Sequence, residues 1–241
     1  MKFLREGTDR ATTTIAERLS ILIKDNQSVI WLVCGGSNIP VEVNIMAKVR
    51  SDCDNRLGNL LILPMDERYG KPGHKDSNFA QLKAAGFDPG NAVWLDILSQ
   101  DLPLTQTVSR YSDLVQKYFS GADIIIGLFG LGADGHTAGV LPKSPAVFEE
   151  AASVVGYDSP PFIRITLTPQ QLIKTSTAYV LAYGESKNES LHRLKANTDS
   201  MEILPSKLLY DIPETFVYND QLDGFTNKQN YKPSLKRRRK I

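Results

Sequence analysis

The sequence predicts an α/β fold, a single doubly wound, mostly parallel sheet with helices on both faces in a Rossmann-like three-layer arrangement. Three observations predict it. Apolar runs of strand length alternate along the chain with stretches of helical periodicity. The runs Ser28 to Cys34 (SVIWLVC), Asn59 to Pro64 (NLLILP) and Asp123 to Phe129 are apolar on both faces, as strands buried in a parallel sheet are. Several of these runs end in glycine-rich or charged turns, where open α/β sheets place their ligands.

The first helix is expected from Thr8 or Asp9 as cap, with Ala11, Ile15, Leu19 and Leu22 at helical spacing on one inward stripe. After the first strand run come Gly35, Gly36, Ser37, Asn38, Ile39 and Pro40, then a helix with Val41, Ile45 and Val49 on one side. Asn38 suits an N-cap and Pro40 a first helical turn. Glycine backbone leading into a helix start either cradles an anion or simply makes a tight connection. Cys34 reads as a small packed hydrophobe.

The run at Asn59 to Pro64 delivers Met65, Asp66, Glu67 and Arg68, which form either a solvated turn or a positioned polar group. The planar fork of Arg68 matches phosphate or carboxylate oxygens. A loop to Lys75 follows, in which His74 reads as surface, and Asp76 or Ser77 caps a helix through Leu82 to Ala85. Ala92 to Ile97 is expected as a strand and Thr105 to Phe119 as a helix, its tyrosines Tyr111 and Tyr118 packing on one side.

The stretch Ala122 to Pro142, ADIIIGLFGLGADGHTAGVLP, organises the rest. Gly130, Gly132 and Gly135 give permissive backbone at the end of a buried strand, with Asp134 and His136 among them. Ser153 to Tyr157 and Phe162 to Thr168 read as further strands, and Thr168-Pro169 as a helix start. Arg164 interrupts an apolar alternation and needs a partner or solvent. A last strand, Ala178 to Tyr183, runs into Gly184, Glu185, Ser186 and Lys187, and a helix with Leu191 and Leu194 on its apolar side begins there. Alone, Lys187 would read as a surface lysine.

Composition sets bounds. With 41% hydrophobic and 23% charged residues in 241, the chain reads as an ordinary soluble globular protein. A net charge of +1 supplies no global basic field, so neither nucleic acid nor a membrane is an expected partner. Residues 1–224 are expected to form a single α/β catalytic domain, and 225–241 a polar and basic tail ending in Lys236, Arg237, Arg238, Arg239 and Lys240. Two cysteines, Cys34 and Cys53, form neither a disulfide framework nor a zinc set. The start MKFLREGTDR lacks the apolar core of a signal peptide and no run reaches membrane-spanning length, so a cytoplasmic location is expected. The oligomeric state, monomer or homodimer, stays open.

Four segments together resemble the 6-phosphogluconolactonases, within the larger group that includes the glucosamine-6-phosphate deaminases. They are Gly35-Gly36-Ser37, Asp66-Glu67-Arg68 with Ser77-Asn78, Gly130 to Ala138 (GLGADGHTA), and Arg164-Ile165-Thr166-Leu167-Thr168 with Gly184-Glu185-Ser186-Lys187. Leu204-Pro205-Ser206 and Thr215 to Asp220 are similar to the family's closing segment. The resemblance implies hydrolysis of a sugar-phosphate lactone, 6-phospho-D-glucono-1,5-lactone, in the oxidative pentose phosphate pathway, with neither metal nor cofactor. It implies His136 as catalytic base with Asp134 orienting it. Gly35, Gly36, Ser37, Asp66, Arg68, Gly132, Arg164 and Lys187 are then expected to hold the substrate, the three cations facing its phosphate.

The residue types suit that chemistry, since a histidine can activate water and a carboxylate can fix its tautomer. Asn38, Gly139, Ser186 and Tyr69-Gly70 depart from the family pattern. Two other functions are carried alongside: an aldose–ketose isomerase or deaminase in which Asp66 is the base, and a sugar-phosphate binder without turnover.

Overall fold

A computed structural model describes residues 1–222 of the chain. The main sheet has seven strands in the order β1-β10-β9-β6-β2-β3-β5. These are β1 (Lys2–Arg5), β2 (Val29–Val33), β3 (Leu60–Pro64), β5 (Val93–Trp94), β6 (Ile124–Gly130), β9 (Thr177–Ala182) and β10 (Glu214–Asn219), and every neighbouring pair is parallel. The expected parallel sheet is therefore present.

Alternation along each strand feeds two cores. Ile30, Leu32, Leu61, Leu63, Phe129 and Val180 point to one face, and Val29, Trp31, Leu60, Ile62, Ile126 and Leu128 to the other. The second face is covered by α1 (Thr8–Lys24), α2 (Ile39–Asp52) and α3 (Asn78–Ala84). The first is covered by α4 (Leu104–Gly121), α5 (Pro169–Leu172) and α6 (Asn188–Ala196), through Tyr111, Val115, Leu172, Leu191 and Leu194. Removing roughly 25 cal/mol from each Å² of apolar surface taken out of water, two such faces dominate the stabilisation.

Beside the main sheet lies a second one that the sequence reading did not separate. It has three antiparallel strands in the order β4-β8-β7: β4 (Asp66–Arg68), β8 (Phe162–Leu167) and β7 (Val154–Ser159). The runs at 153–157 and 162–168 are thus strands as expected, but of this small sheet. Asp66 to Arg68, left open as turn or constellation, is a short strand whose first two residues are buried. The parallel pairing β2-β3 ends at Val33 opposite Pro64, and Met65 then turns the chain out to a new partner.

Local boundaries also shift. Gly7 takes the N-cap of α1, with Thr8 and Asp9 inside its first turn, where the acid of Asp9 faces the positive helix end. Asn38 occupies the N-cap position of α2 but makes no capping bond. Its Nδ2 turns inward to Cys34 Sγ, 3.2 Å, and the Phe129 carbonyl, 3.3 Å. Ser77 caps α3 as expected, accepting from the Ala80 N–H at 3.1 Å. The expected strand at 92–97 shrinks to Val93–Trp94, because Asp96 accepts from the Leu98 N–H at 2.9 Å and folds the chain into a turn. The edge strand β1 was not foreseen, since four residues carry too little periodicity. The boundary expected at 224 and the basic tail lie outside the described residues.

One feature of the topology places the site. From β2 the chain builds outward through β3 to β5, then returns to the other side of β2 with β6 and continues to β9 and β10. Strand order reverses between β2 and β6, the switch point at which open α/β sheets take ligands beyond the carboxyl ends of their strands. The turn after β2 is Gly35 to Asn38, and the loop after β6 runs through Gly132, Asp134 and His136.

Candidate active site

The loop after β6 folds back on itself through its own backbone. Gly132 donates to the His136 carbonyl at 2.8 Å, Gly135 to the Gly132 carbonyl at 3.0 Å, and Thr137 Oγ1 to the Gly130 carbonyl at 2.9 Å. Gly135 takes a left-handed conformation, φ +89°, in which its neighbour Leu204 leaves no room for a Cβ. A Cβ on Gly132 would collide with the imidazole of His136. The loop thus closes around one side chain.

That side chain is bonded to Asp134. His136 Nδ1 lies 2.6 Å from Asp134 Oδ1, and the His136 N–H donates to the same oxygen at 3.1 Å. A carboxylate facing Nδ1 sets the tautomer with the proton there and leaves Nε2 as the basic nitrogen. Partial burial works to raise the Asp134 carboxyl, but the bond to His136 and its charge prevail and hold it at about 2. The imidazole side chain is 37% exposed, so water reaches it.

The small sheet presents a second set of groups. Its register puts Asp66 opposite Thr166 and Arg68 opposite Arg164, with Tyr157 next to Arg164 on β7. Alternation sends Asp66, Arg68, Arg164, Thr166 and Tyr157 to one face. Gly139, just after the histidine loop, lies on that face: its N–H donates to Thr166 Oγ1 at 3.1 Å and its carbonyl accepts from the Tyr157 hydroxyl at 2.6 Å. Both guanidinium groups lie over the Phe162 ring, at 5.4 Å for Arg68 and 5.7 Å for Arg164. Each has a buried Nε with no partner, and among the described residues neither forms an ion pair. Burial raises the Asp66 carboxyl above its ordinary range, while Arg68, Arg164 and His136 oppose the rise. Asp66 therefore lies within electrostatic reach of all three.

The opposite face of β4 explains how Asp66 is held. Glu67 is fully buried and accepts from Ser77 Oγ at 2.9 Å and from the N–H groups of Arg68, Asn78 and Phe79 at 2.6, 2.7 and 3.0 Å. This ties the start of α3 to β4. Asn78 then donates from Nδ2 to the Asp66 carbonyl at 3.0 Å and packs so closely on Gly35 that no Cβ fits there. His74, expected at the surface, is half-buried and bonded through Nε2 to the Arg68 carbonyl at 2.8 Å.

Ser37 and Lys187 stand at the turns after β2 and β9. With Thr8, Asn38 and Tyr183 they line a hollow of about 120 Å³ between the turns after β2 and β9. No hydrogen bond or ion pair joins Lys187 to Arg68, Arg164 or His136 among the described residues. A wider hollow, about 440 Å³, opens at the amino end of β6 beside Asp123, Gln171 and Lys174, and contains none of the expected site residues. The convergent polar groups at the carboxyl end mark the site better than volume does.

Sequence reasoning missed Glu67 and Asn78 as organisers, and Thr166 and Tyr157 as the wall behind Gly139. Glu67, Ser77-Asn78 and Thr166 did stand inside the quoted motifs. Only the register of the small sheet gives them a task.

Comparison with known proteins agrees with the motifs. The family model described as glucosamine-6-phosphate isomerases/6-phosphogluconolactonase matches residues 5–217. A protein of Borreliella burgdorferi named 6-phosphogluconolactonase is 31% identical over 195 residues, 77% of this chain and 80% of that one. The one so named in Chlamydia trachomatis is 26% identical over 175 residues, covering 70% of this chain. The match spans 66% of the length of the Chlamydia protein and 63% of that of a Nostoc relative of the same name. A solved 6-phosphogluconolactonase from Thermotoga maritima shares the fold, with a TM-score of 0.71 at 21% identity over 90% of this chain and 97% of that one. A monomeric glucosamine-6-phosphate deaminase does so with a TM-score of 0.73 at 19% identity, over 92% and 98%. With a family model covering most of its length, the chain belongs to the glucosamine-6-phosphate isomerase/6-phosphogluconolactonase family.

Proposed function

We propose that the chain hydrolyses 6-phospho-D-glucono-1,5-lactone to 6-phosphogluconate. The observation that carries this reading is the Asp134–His136 pair, exposed to water beside two arginines that lack counter-ions. His136 Nε2 takes a proton from water as the water oxygen attacks the lactone carbonyl. Asp134 keeps the imidazole oriented and offsets its positive charge. The carbonyl oxygen becomes an oxyanion, met by N–H groups of the glycine loop. When the carbonyl re-forms, the ring C–O bond breaks, and the proton held by His136 passes to the departing ring oxygen. The product is an open-chain acid.

Arg68, Arg164, Lys187 and the Gly35-Gly36-Ser37 turn hold the phosphate, and Gly132 and Asp66 shape the floor. Binding energy from the remote phosphate keeps the reacting carbonyl in place. No three His, Cys, Asp or Glu residues are grouped to hold a metal ion among the described residues, and the reaction as written uses none. No described helix is long and apolar enough to cross a membrane. The substrate is a soluble sugar phosphate, and the proposed setting is the cytoplasm.

Proton release from fresh lactone, with the spontaneous rate subtracted, tests the reading. Saturable turnover that disappears in His136→Ala supports it, and no turnover above background overturns it. The buried Asp66, with its raised carboxyl beside His136, favours one second reading. A carboxylate there could remove a carbon-bound proton from an amino-sugar phosphate, as a deaminase requires. Ammonia release from glucosamine 6-phosphate separates the two.

A further inference from the structure

Glu42 has no exposed surface in the first turn of α2, and the chemistry above does not use it. Its Oε1 accepts from the N–H of Cys34 at 2.7 Å. Cys34 is the last residue before the Gly35-Gly36-Ser37 turn. Glu42 Oε2 is buried without a partner, and Asn38 completes the knot by bonding to Cys34 Sγ. The groups acting on the carboxyl are Cys34, at the end of β2, and Asp66, in β4; neither is a cation. A buried carboxyl with one hydrogen bond and no counter-charge costs stability that an apolar side chain of similar size would not. Its presence behind the turn points to a task.

We infer that Glu42 is a positioning residue for the turn that cradles the phosphate, and that its ionisation weakens the turn's hold on a dianionic sugar phosphate. This rests on the reading of that turn as a phosphate cradle. Neutral or charged, Oε1 accepts the Cys34 N–H and so fixes the direction in which the chain leaves β2. When charged, the group adds a negative charge behind backbone N–H groups that face an anion, in an interior where salt screens little. Burial pushes Glu42 up to about 8 against its bonding to Cys34, and Asp66 adds to the rise. The change of charge therefore falls just above neutrality.

The test is calorimetric titration of the full chain with 6-phosphogluconate at constant ionic strength, from about pH 7, where a phosphate monoester is mostly dianionic, to about pH 9.5. The dissociation constant is expected to rise roughly fivefold or more across this range, and to stay flat in Glu42→Gln. Glu42→Leu, which removes the acceptor on Cys34, is expected to raise KM for the lactone and leave kcat near its native value. A native chain that turns over lactone with no such decline, or a Glu42→Gln variant that declines in parallel, overturns the inference alone. A chain that neither binds 6-phosphogluconate nor turns over lactone overturns the phosphate reading with it.

Discussion

Arg68 and Arg164 are direct cross-strand partners in an antiparallel pair, and both guanidinium groups lie over the same phenyl ring. Like charges placed opposite each other in a sheet repel, at a cost of roughly 0.2–1 kcal/mol. Asp66 moderates the repulsion at a distance without forming an ion pair with either. An incoming phosphate would remove it.

The pairing sets opposite expectations for stability and for binding. Arg164→Gln is expected to leave the unliganded protein as stable as before, or more stable by up to about 1 kcal/mol. The same change is expected to raise KM roughly 10- to 100-fold, as loss of a charge-assisted hydrogen bond worth about 1.5–3 kcal/mol implies. Thermal melts with and without 6-phosphogluconate, alongside steady-state kinetics, check both arms. A variant that melts early yet keeps the native KM would show the arginine to be structural.

Asp134 carries a pH signature. Held at about 2, it stays ionised wherever the protein is handled near neutrality, so its carboxylate is available to His136 there. Asp134→Asn is expected to lower kcat by roughly 10²–10⁴, the scale of general-base catalysis, with a far smaller change in KM. Because the folded value lies below the unfolded one, its contribution to stability is present above about pH 4 and lost as pH falls toward 2. The side chain is half-exposed, so that contribution is small. Melting curves of native and Asp134→Asn protein should converge over this acid window.

Sequence periodicity served best where the environment was uniform. β2, β3 and β6 lie between two cores, and every position in them must be apolar, so the run itself reveals the strand. The small sheet shows the limit of that signal. β4 is three residues long, reads Asp-Glu-Arg, and is a strand only because β8 lies beside it. Asp134 and His136 were legible because a single residue separates them and one loop holds both. Glu42 was invisible for the opposite reason, since a glutamate in an ordinary helical turn reads as solvent-facing until the end of β2 is seen above it.

Glu42 also predicts a slope in stability. Its folded value, about 8, lies above the ordinary carboxylate range, so the folded state holds a proton that the unfolded state has released. Its contribution is complete below about pH 4.5 and is lost as pH rises through 8. Glu42→Gln cannot release that proton. Between about pH 5 and 8.5 the native protein should lose stability relative to the variant by an amount on the order of a few kcal/mol. Urea denaturation across this range measures the difference, and parallel curves would mean that the group titrates normally.

Gly139 departs from the family pattern, and the structure supplies a reason. A Cβ at 139 would press on the Thr166 side chain at 2.7 Å and on the Asp66 Cβ at 3.1 Å. Neither neighbour yields easily: Thr166 Oγ1 accepts from the Gly139 N–H, and Asp66 is fixed through Asn78. The backbone of Gly139 is not in the left-handed region, so the obstacle is space alone. Gly139→Ser is therefore expected to destabilise the fold by about 1–3 kcal/mol, the usual cost of overpacking. The strain should also reach Asp66 and the Tyr157 bond to the Gly139 carbonyl, lowering kcat/KM more than a surface substitution would. A variant with native stability and raised activity would show instead that the small sheet can move away from the histidine loop.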